Sequence, residues 1–429
     1  MSPTTRGHPR EAGPPLTSAA VPPAAPETTF TVPARGAGVL PRQFLLDAIS
    51  AGVIASDAPV PESNVQPASL DLRLGEVAYR MRCSFLPGPD TVERKLRDHV
   101  IDELDLRAGA VLETNRPYLV PLKERLALPK AVRAKANPKS STGRVDVFTR
   151  VITDHGYRFD EIAAGYAGPL YLEIVPLSFA IGVREGLSLN QLRLSVGKTQ
   201  LSDEQIARFH EETHHLLLKG GKPVPVKDLA LADGLFLSLD LRGDHDGRVG
   251  YQAKENAPRL NLTGSAPIDP APYFDPVRRE GGNRIVLAPQ RFYLLMSDEA
   301  VSIPPELASE MTAYDPTSGE LRTHYAGFFD PGFGFDAGPN DGSRAALEVR
   351  AHDVPFMIEH GQRVCKLTFD KMLEPPDVLY GSAVGSSYQH QEETLGKHFR
   401  RTVRRSGAPS GGPGPGQQSF PMGAADPPR

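Results

Sequence analysis

A mainly β fold laid down twice is what this sequence predicts. Most segments between its two ends are short and alternate apolar with polar residues, as in SLDLRLGEVAYRM (69–81), RVDVFTRVI (144–152) and PLYLEIVPLSFAIGV (169–183). Pro and Gly punctuate them, the pattern of half-buried strands. Three segments then recur in order: SLDLRLG at 69 as SLDLRGD at 238, NRPYLVPLKERLALPKAV at 115 as QRFYLLMSDEAVSIPPEL at 290, and PLYLEIVPLSFAIGVREGLSLNQLRL at 169 as AALEVRAHDVPFMIEHGQRVCKLTF at 345. Each recurs about 170 to 175 positions on, and ordered recurrence at one offset points to duplication.

Taken in chain order, residues 1–35 are dominated by Pro, Ala, Thr and Gly and bury too little apolar surface to offset ordering entropy; the same holds for 401–429, rich in Gly and Pro. Both are expected to be disordered. PRQFLLDAISAG (41–52) reads as a helix, with Pro41 suited to its first turn and Gly52 to its end. Copy one is assigned to 36–200 and copy two to 223–400. SDEQIARFHEETHHLLLKGG (202–221) lies between them as a helical connector (201–222), starting on a Ser202/Gln205 capping box and ending at Gly220.

The 48 Lys and Arg stand against 52 Asp and Glu, a net charge of −4, so no nucleic-acid coat and no membrane-surface protein is expected. Cys83 and Cys365 are the two cysteines, too few for a disulfide framework or a thiolate zinc cluster, and a reducing cytoplasm is the natural compartment. No secretion signal and no run of about 18 apolar residues is seen, so no membrane span is expected.

Copy one holds the densest chemistry. In NPKSSTGRVDVF (137–148), small residues free backbone N–H groups, Ser140 and Ser141 add hydroxyls, and Lys139 and Arg144 add positive charge, a set suited to phosphate oxygens. A Ser/Thr-rich turn ahead of a strand uses the same residues. Downstream, YRFDEIAAGYAGPLYLEI (157–174) reads as a sharp hairpin around Asp160, Gly165 and Gly168, followed by Glu173 in an apolar strand. That carboxylate either faces solvent or, buried in a pocket, gains basicity for proton transfer. HEETH (210–214) has the spacing of a zinc-protease helix but no convincing third ligand, and DLRGDHDGRVG (240–250) misses the EF-hand register. A polar helix face and a solvated turn are the simpler readings.

These motifs resemble the dCTP deaminases of the dUTPase-like superfamily. KSSTGR (139–144) is similar to the family's phosphate-binding serine motif, RFDEIAAGYAG (158–168) to its base-binding hairpin, and LYLEI (170–174) to the strand carrying its catalytic glutamate. VLPRQFLLDAISAGVI…QPASLDLRLG (39–75) resembles the N-terminal helix and first strand, and LYGSAVGSSYQHQ (379–391) the tail that closes over the nucleotide, with Ser387 where the family usually has a lysine. The resemblance spans about 39–395 and implies two tandem dUTPase-like domains (β-clip, distorted barrel).

Carried over by position, it implies Glu173 as general base and acid, with Ser140 and Arg144 holding the attacking water. Lys139 and Ser141 would meet phosphates, and Arg158, Asp160 and Tyr166 the sugar and base, while Tyr380 and Gln391 close the site. Copy two departs from the pattern in AYDPTSGELR (313–322), and its hairpin FFDPGFGFDAGPNDGSRA (328–345) carries an insertion. It is therefore expected to be a degenerate partner that keeps Glu348 in ALEV and supplies packing and the tail.

The implied reaction is hydrolysis of dCTP to dUTP and ammonia, without zinc, with Mg²⁺ arriving on the triphosphate. Deprotonating water (pKa ~15.7) with an ordinary Glu (~4.3) costs roughly 15 kcal/mol, nearly all of the ~17 kcal/mol that allows one turnover per second. Glu173 is therefore expected to be made more basic by burial. A dUTP diphosphatase, a bifunctional deaminase–diphosphatase and a catalytically silent nucleotide-binding regulator are the alternatives. The resemblance further implies a homotrimer of two-domain chains with sites at subunit contacts.

Overall fold

Each half of the chain repeats one strand-pairing scheme in the computed structural model, which describes residues 30–33, 36–313, 321–323, 327–335, 342–351, 353–382, 388–389, 391 and 393–400. The first half contains β1 (Leu70–Arg73), β2 (Tyr118–Ala127), β3 (Val132–Pro138), β4 (Val147–Thr153), β5 (Ala167–Pro176) and β6 (Ser188–Val196). Strand β6 pairs with β1 and β3, and β5 lies between β2 and β4, all antiparallel. The second half contains β7 (Leu235–Ser238), β8 (Phe292–Val301), β9 (Leu307–Ala313), β10 (Ser343–Ala351) and β11 (Arg363–Lys371). There β11 pairs with β7 and β9, and β10 with β8. The recurring sequence segments thus occupy recurring places in the sheets.

The first helix, α1 (Arg42–Ser50), follows Pro41, and Gly52 turns the chain away at φ 72°. The KSST segment forms a single helical turn, α2 (Ser140–Gly143). A longer helix, α3 (Asp203–Glu212), has the Ser202/Gln205 capping box, with both reciprocal hydrogen bonds. It ends eight residues before Gly220, because the His210 imidazole accepts a hydrogen bond from the Leu216 amide and draws the chain into a short strand, Leu217–Lys219. Gly220 and Gly221, both at positive φ, form the two-residue turn of the hairpin that follows.

Two apolar cores correspond to the two halves, but the chain crosses between them. Leu260–Asn261 adds a parallel strand to Ile181–Val183 of the first half. Tyr273 and Phe274 meet Phe179 edge-on at 5.6 and 5.4 Å, and Phe399 from the tail joins the same cluster. Phe30 and Val32 also pack against this first core. Burying one such aromatic contributes on the order of 2 kcal/mol, so these side chains bind the halves together. The residues expected to be disordered otherwise lie outside the described ones. Among the described residues no helix is long and apolar enough to cross a membrane.

Polar pins fix the halves in register. Arg193 donates to Asp330 at 2.8 Å and lies over the Phe328 ring at 3.9 Å. Lys135 and Asn137 both donate to Glu310, at 2.6 and 3.0 Å. Arg350 on β10 is ion-paired with the fully buried Asp146, just after α2.

Candidate active site

Between the halves lies a cavity of about 220 Å³. Its walls include Lys139, Ser140, Ser141 and Arg144 around α2; Glu348 on β10 with Asp330 and Phe333 of the copy-two hairpin; and Tyr380, Tyr388 and Gln391 of the tail. The α2 turn is held by its backbone, with Lys139 N–H donating to Leu189 C=O at 3.1 Å and Thr142 Oγ1 to the same carbonyl at 2.7 Å. This places Arg144 in the protein interior, 3 % exposed. Its guanidinium donates to Gln391 Oε1 at 2.6 Å and stacks on Tyr388 at 3.8 Å. Lys139 is ion-paired with Asp71, whose carboxyl is raised by burial against the lowering effect of that lysine.

Glu348 faces this loop directly. A side chain on Gly143 would put its Cβ 2.8 Å from a Glu348 carboxylate oxygen, so the carboxylate would have to move aside for any larger residue there. Burial raises the Glu348 carboxyl to about 8, with Arg144 pulling the other way and Asp146 adding to the rise. Among the described residues its carboxylate accepts no hydrogen bond. A basic, desolvated carboxyl beside a guanidinium and serine hydroxyls is equipped to take a proton from water and return it elsewhere.

The second half therefore does more than the sequence reading gave it. Asp330, Gly332 and Phe333 belong to the DPGFG turn, with Gly332 at φ 102° and Gly334 at φ 65°. Asp330 accepts hydrogen bonds from Arg193 and from Ser69 at 2.9 Å. This hairpin, and not that of copy one, lines the cavity. The signal was present as an Asp-Pro-Gly turn, masked by the insertion that follows; residues 336–341 of that insertion, most of AYDPTSGELR and Ser387 lie outside the described residues.

The expectation that Glu173 joins Ser140 and Arg144 is corrected within this chain. Glu173 is fully buried, but on β5 it sits directly across from Arg150 on β4. That guanidinium donates to its Oε1 at 3.1 and 2.5 Å and is itself stacked on Phe159 at 3.6 Å. Glu173 does not line the cavity that holds the lysine-serine loop. The copy-one hairpin also points elsewhere. Arg158 is exposed and pairs with Glu161, and Tyr166 donates to Pro169 C=O at 2.6 Å; both line a separate, wider cavity. Asp160, at φ 62°, accepts the Val151 amide at 2.7 Å, and burial raises its carboxyl to about 7. Both halves of one chain line this cavity.

The remaining candidates are accounted for locally. His210 contacts Val224 C=O at 2.8 Å and His214 the Ser302 hydroxyl at 2.8 Å, so HEETH serves hydrogen bonding. Asp240, Asp298 and His360 converge, but Arg242, Arg344 and Lys219 neutralise the carboxylates.

Comparisons with known proteins converge on one family. Residues 36–198 match the family model for the 2'-deoxycytidine 5'-triphosphate deaminase (DCD) N-terminal domain, and 202–399 that for its C-terminal domain. The chain is 46 % identical to the crystal structure of 2'-deoxycytidine 5'-triphosphate deaminase from Agrobacterium tumefaciens, covering 82 % of this chain and 100 % of that one, with a TM-score of 0.76. It is 31 % identical over 125 residues to a Halobacterium salinarum protein named dCTP deaminase, dUMP-forming, which covers 28 % of this chain and 60 % of the relative. A Thermobifida fusca protein of the same name is 30 % identical over 139 residues, 30 % of this chain and 67 % of the relative.

Proposed function

Since the chain belongs to the dCTP deaminase family, we propose that it deaminates dCTP, with Glu348 as the proton-transferring group of a site completed within one chain. The observation that carries this reading is the Glu348 carboxyl, raised to about 8 by burial and directed at the Gly143–Arg144 turn. In the proposed sequence Glu348 accepts a proton from water as its oxygen attacks C4 of the cytosine ring. It then delivers that proton to ring nitrogen N3, takes the second proton from the new C4 hydroxyl of the tetrahedral intermediate and passes it to the amine as the C4–N bond breaks, so that dCTP and water become dUTP and ammonia. Ser140 and Arg144 orient the water, Lys139 and Ser141 take phosphate oxygens, and Asp330, Phe333 and Tyr380 surround the sugar and base.

Energetics favour Glu348 for the role. With a carboxyl near 8, complete deprotonation of water costs about 8 pKa units, roughly 10 kcal/mol, against roughly 15 for an ordinary Glu. Ionising Glu348 at pH 7 adds about 1.4 kcal/mol. The sum stays below ~17 kcal/mol and leaves room for attack on the ring. No step requires zinc. Mg²⁺ enters as part of the substrate, carried on the triphosphate, whose remote binding energy orients C4.

A second reading concerns the product. Several relatives are named dUMP-forming, which favours onward hydrolysis of dUTP to dUMP and pyrophosphate in the same cavity. Assembly as a trimer of two-domain chains remains part of the proposal on the family resemblance, and light scattering measures it. The decisive assay incubates purified protein with dCTP and Mg²⁺ and follows ammonia, dUTP and dUMP. Ammonia release that is lost in Glu348→Gln but kept in Glu173→Gln supports the reading. Tight dCTP binding without ammonia overturns it in favour of a silent nucleotide-binding protein.

A further inference from the structure

Lys397 is held in place by everything around it except a charge partner. The tail enters and leaves this position through two buried anchors, Leu395 and Phe399, both part of the first core. Phe399 N–H donates back to Gly396, and Arg400 N–H donates to Ile268 C=O at 2.8 Å. The Lys397 amide donates to the Tyr388 hydroxyl at 3.2 Å, and the same ring supports the Arg144 guanidinium. Gly396 packs against Arg144, where a Cβ would lie 3.4 Å from that of the arginine. The backbone at Lys397 is therefore fixed relative to the catalytic loop.

Its side chain opens onto the cavity that holds Glu348 and onto a neighbouring one of about 310 Å³, lined by Ser141, Thr142, Ser188, Ser265 and His398. Among the described residues its ammonium forms no ion pair. Asp71, the carboxylate whose charge acts on it, is already paired with Lys139. Surrounding protein and the charge of Lys139 both hold the Lys397 ammonium below the ordinary lysine range, and the same two lysines depress His398 to about 4 after burial. Two neighbouring cations directed at one opening, with one of them uncommitted, call for a polyvalent anion.

We propose that Lys397 is the counter-ion for the terminal phosphates of the nucleotide, and that the triphosphate tail runs from the Arg144 loop past Lys139 and Ser141 toward the neighbouring cavity. On this arrangement Lys397 makes the site prefer a triphosphate to a monophosphate. The inference rests on the deaminase reading for the identity of the nucleotide, but not for the presence of the phosphate site. Lys397 touches the terminal phosphates and not the reacting ring, so its loss falls mainly on KM, with a smaller loss in kcat from the weaker positioning of C4.

Binding of inorganic tripolyphosphate to the full-length protein, measured by calorimetry, tests the site apart from the chemistry. Lys397→Met should weaken that binding by about tenfold or more, the loss expected for one charge-assisted contact, and Lys397→Arg should restore most of it. For dCTP the Met variant should raise KM by a similar factor, shrinking the preference for dCTP over dCMP. Lys397→Gln gives a second neutral side chain should the Met variant melt early. Lysine-independent tripolyphosphate binding, no binding by the unaltered protein, or an unchanged dCTP/dCMP preference in an active Lys397→Met enzyme overturns the proposal. Lysine-dependent tripolyphosphate binding without ammonia release would preserve the phosphate site and remove the deaminase reading instead.

Discussion

Glu173 and Glu348 occupy the same place in the two halves: each lies on the long strand that pairs with the segment recurring at 115 and 290, opposite Leu119 in one half and Leu294 in the other. Their surroundings differ completely. Beside Glu173, the full-length strand β4 places Arg150 in register. Beside Glu348, the neighbouring strand is Leu321–Thr323, and its described pairing ends at Thr323 opposite Val349. One carboxylate is thus spent on an internal ion pair, while the other faces the opposite half of the molecule. The same residue type at the same repeated position is ion-paired within its sheet in one half and directed at the opposite half in the other.

The sharpest way to break this comparison is to neutralise each glutamate in turn. Glu348→Gln should reduce turnover of dCTP by about 10²–10⁴, the contribution of a positioned acid–base group, whereas Glu173→Gln should stay within about tenfold in an ammonia-release assay. Equal losses would return the catalytic role to the first half.

Stability should move the other way. The folded-state carboxyl of Glu348 is raised from 4.5 to about 8, so its protonated form is favoured by folding. That contribution is complete below about pH 4.5 and is lost as pH rises through about 8. Glu348→Gln should therefore match the unaltered protein near pH 4.5 and exceed it by up to about 5 kcal/mol above pH 8. Denaturant titrations at both pH values measure the difference.

Arg150→Met should destabilise the first half by about 3 kcal/mol, because it strands the buried Glu173 carboxylate without its cation. Thermal unfolding reads this out, and the double variant Arg150→Met/Glu173→Gln should recover much of the loss. The pH profile sharpens the comparison further. If ionised Glu348 is the base, kcat/KM should rise about tenfold per pH unit below 8 and level off above it, while Glu173→Gln leaves that profile in place.

Parts of the site were legible from local sequence because local chemistry fixes them. Lys139, Ser140, Ser141 and Arg144 share one helical turn, and Tyr380 and Gln391 share one tail, so both groups reach the cavity intact. The capping box at Ser202 was equally legible, since its partners are three residues apart. The hairpin was assigned to the wrong half because RFDEIAAGYAG adjoins the serine motif in sequence, whereas FFDPGFG adjoins it in space. The helix at 203–212 is shorter than its pattern because the His210 side chain accepts a hydrogen bond from the Leu216 amide, a side-chain contact that hydrophobic periodicity does not encode.

By itself the sequence determined that the chain is mainly β, that its segments recur in order and that a lysine-serine turn and a tyrosine-bearing tail exist, because alternation, duplication and turn chemistry act over a few residues. Only the tertiary structure decided which glutamate meets that turn. The choice depends on Arg193–Asp330, Lys135–Glu310 and Arg350–Asp146 holding one half against the other, and on Arg150 reaching Glu173 across a sheet. These contacts join residues far apart in the chain, and the polarity and charge they impose on each carboxyl exist only once the halves have packed.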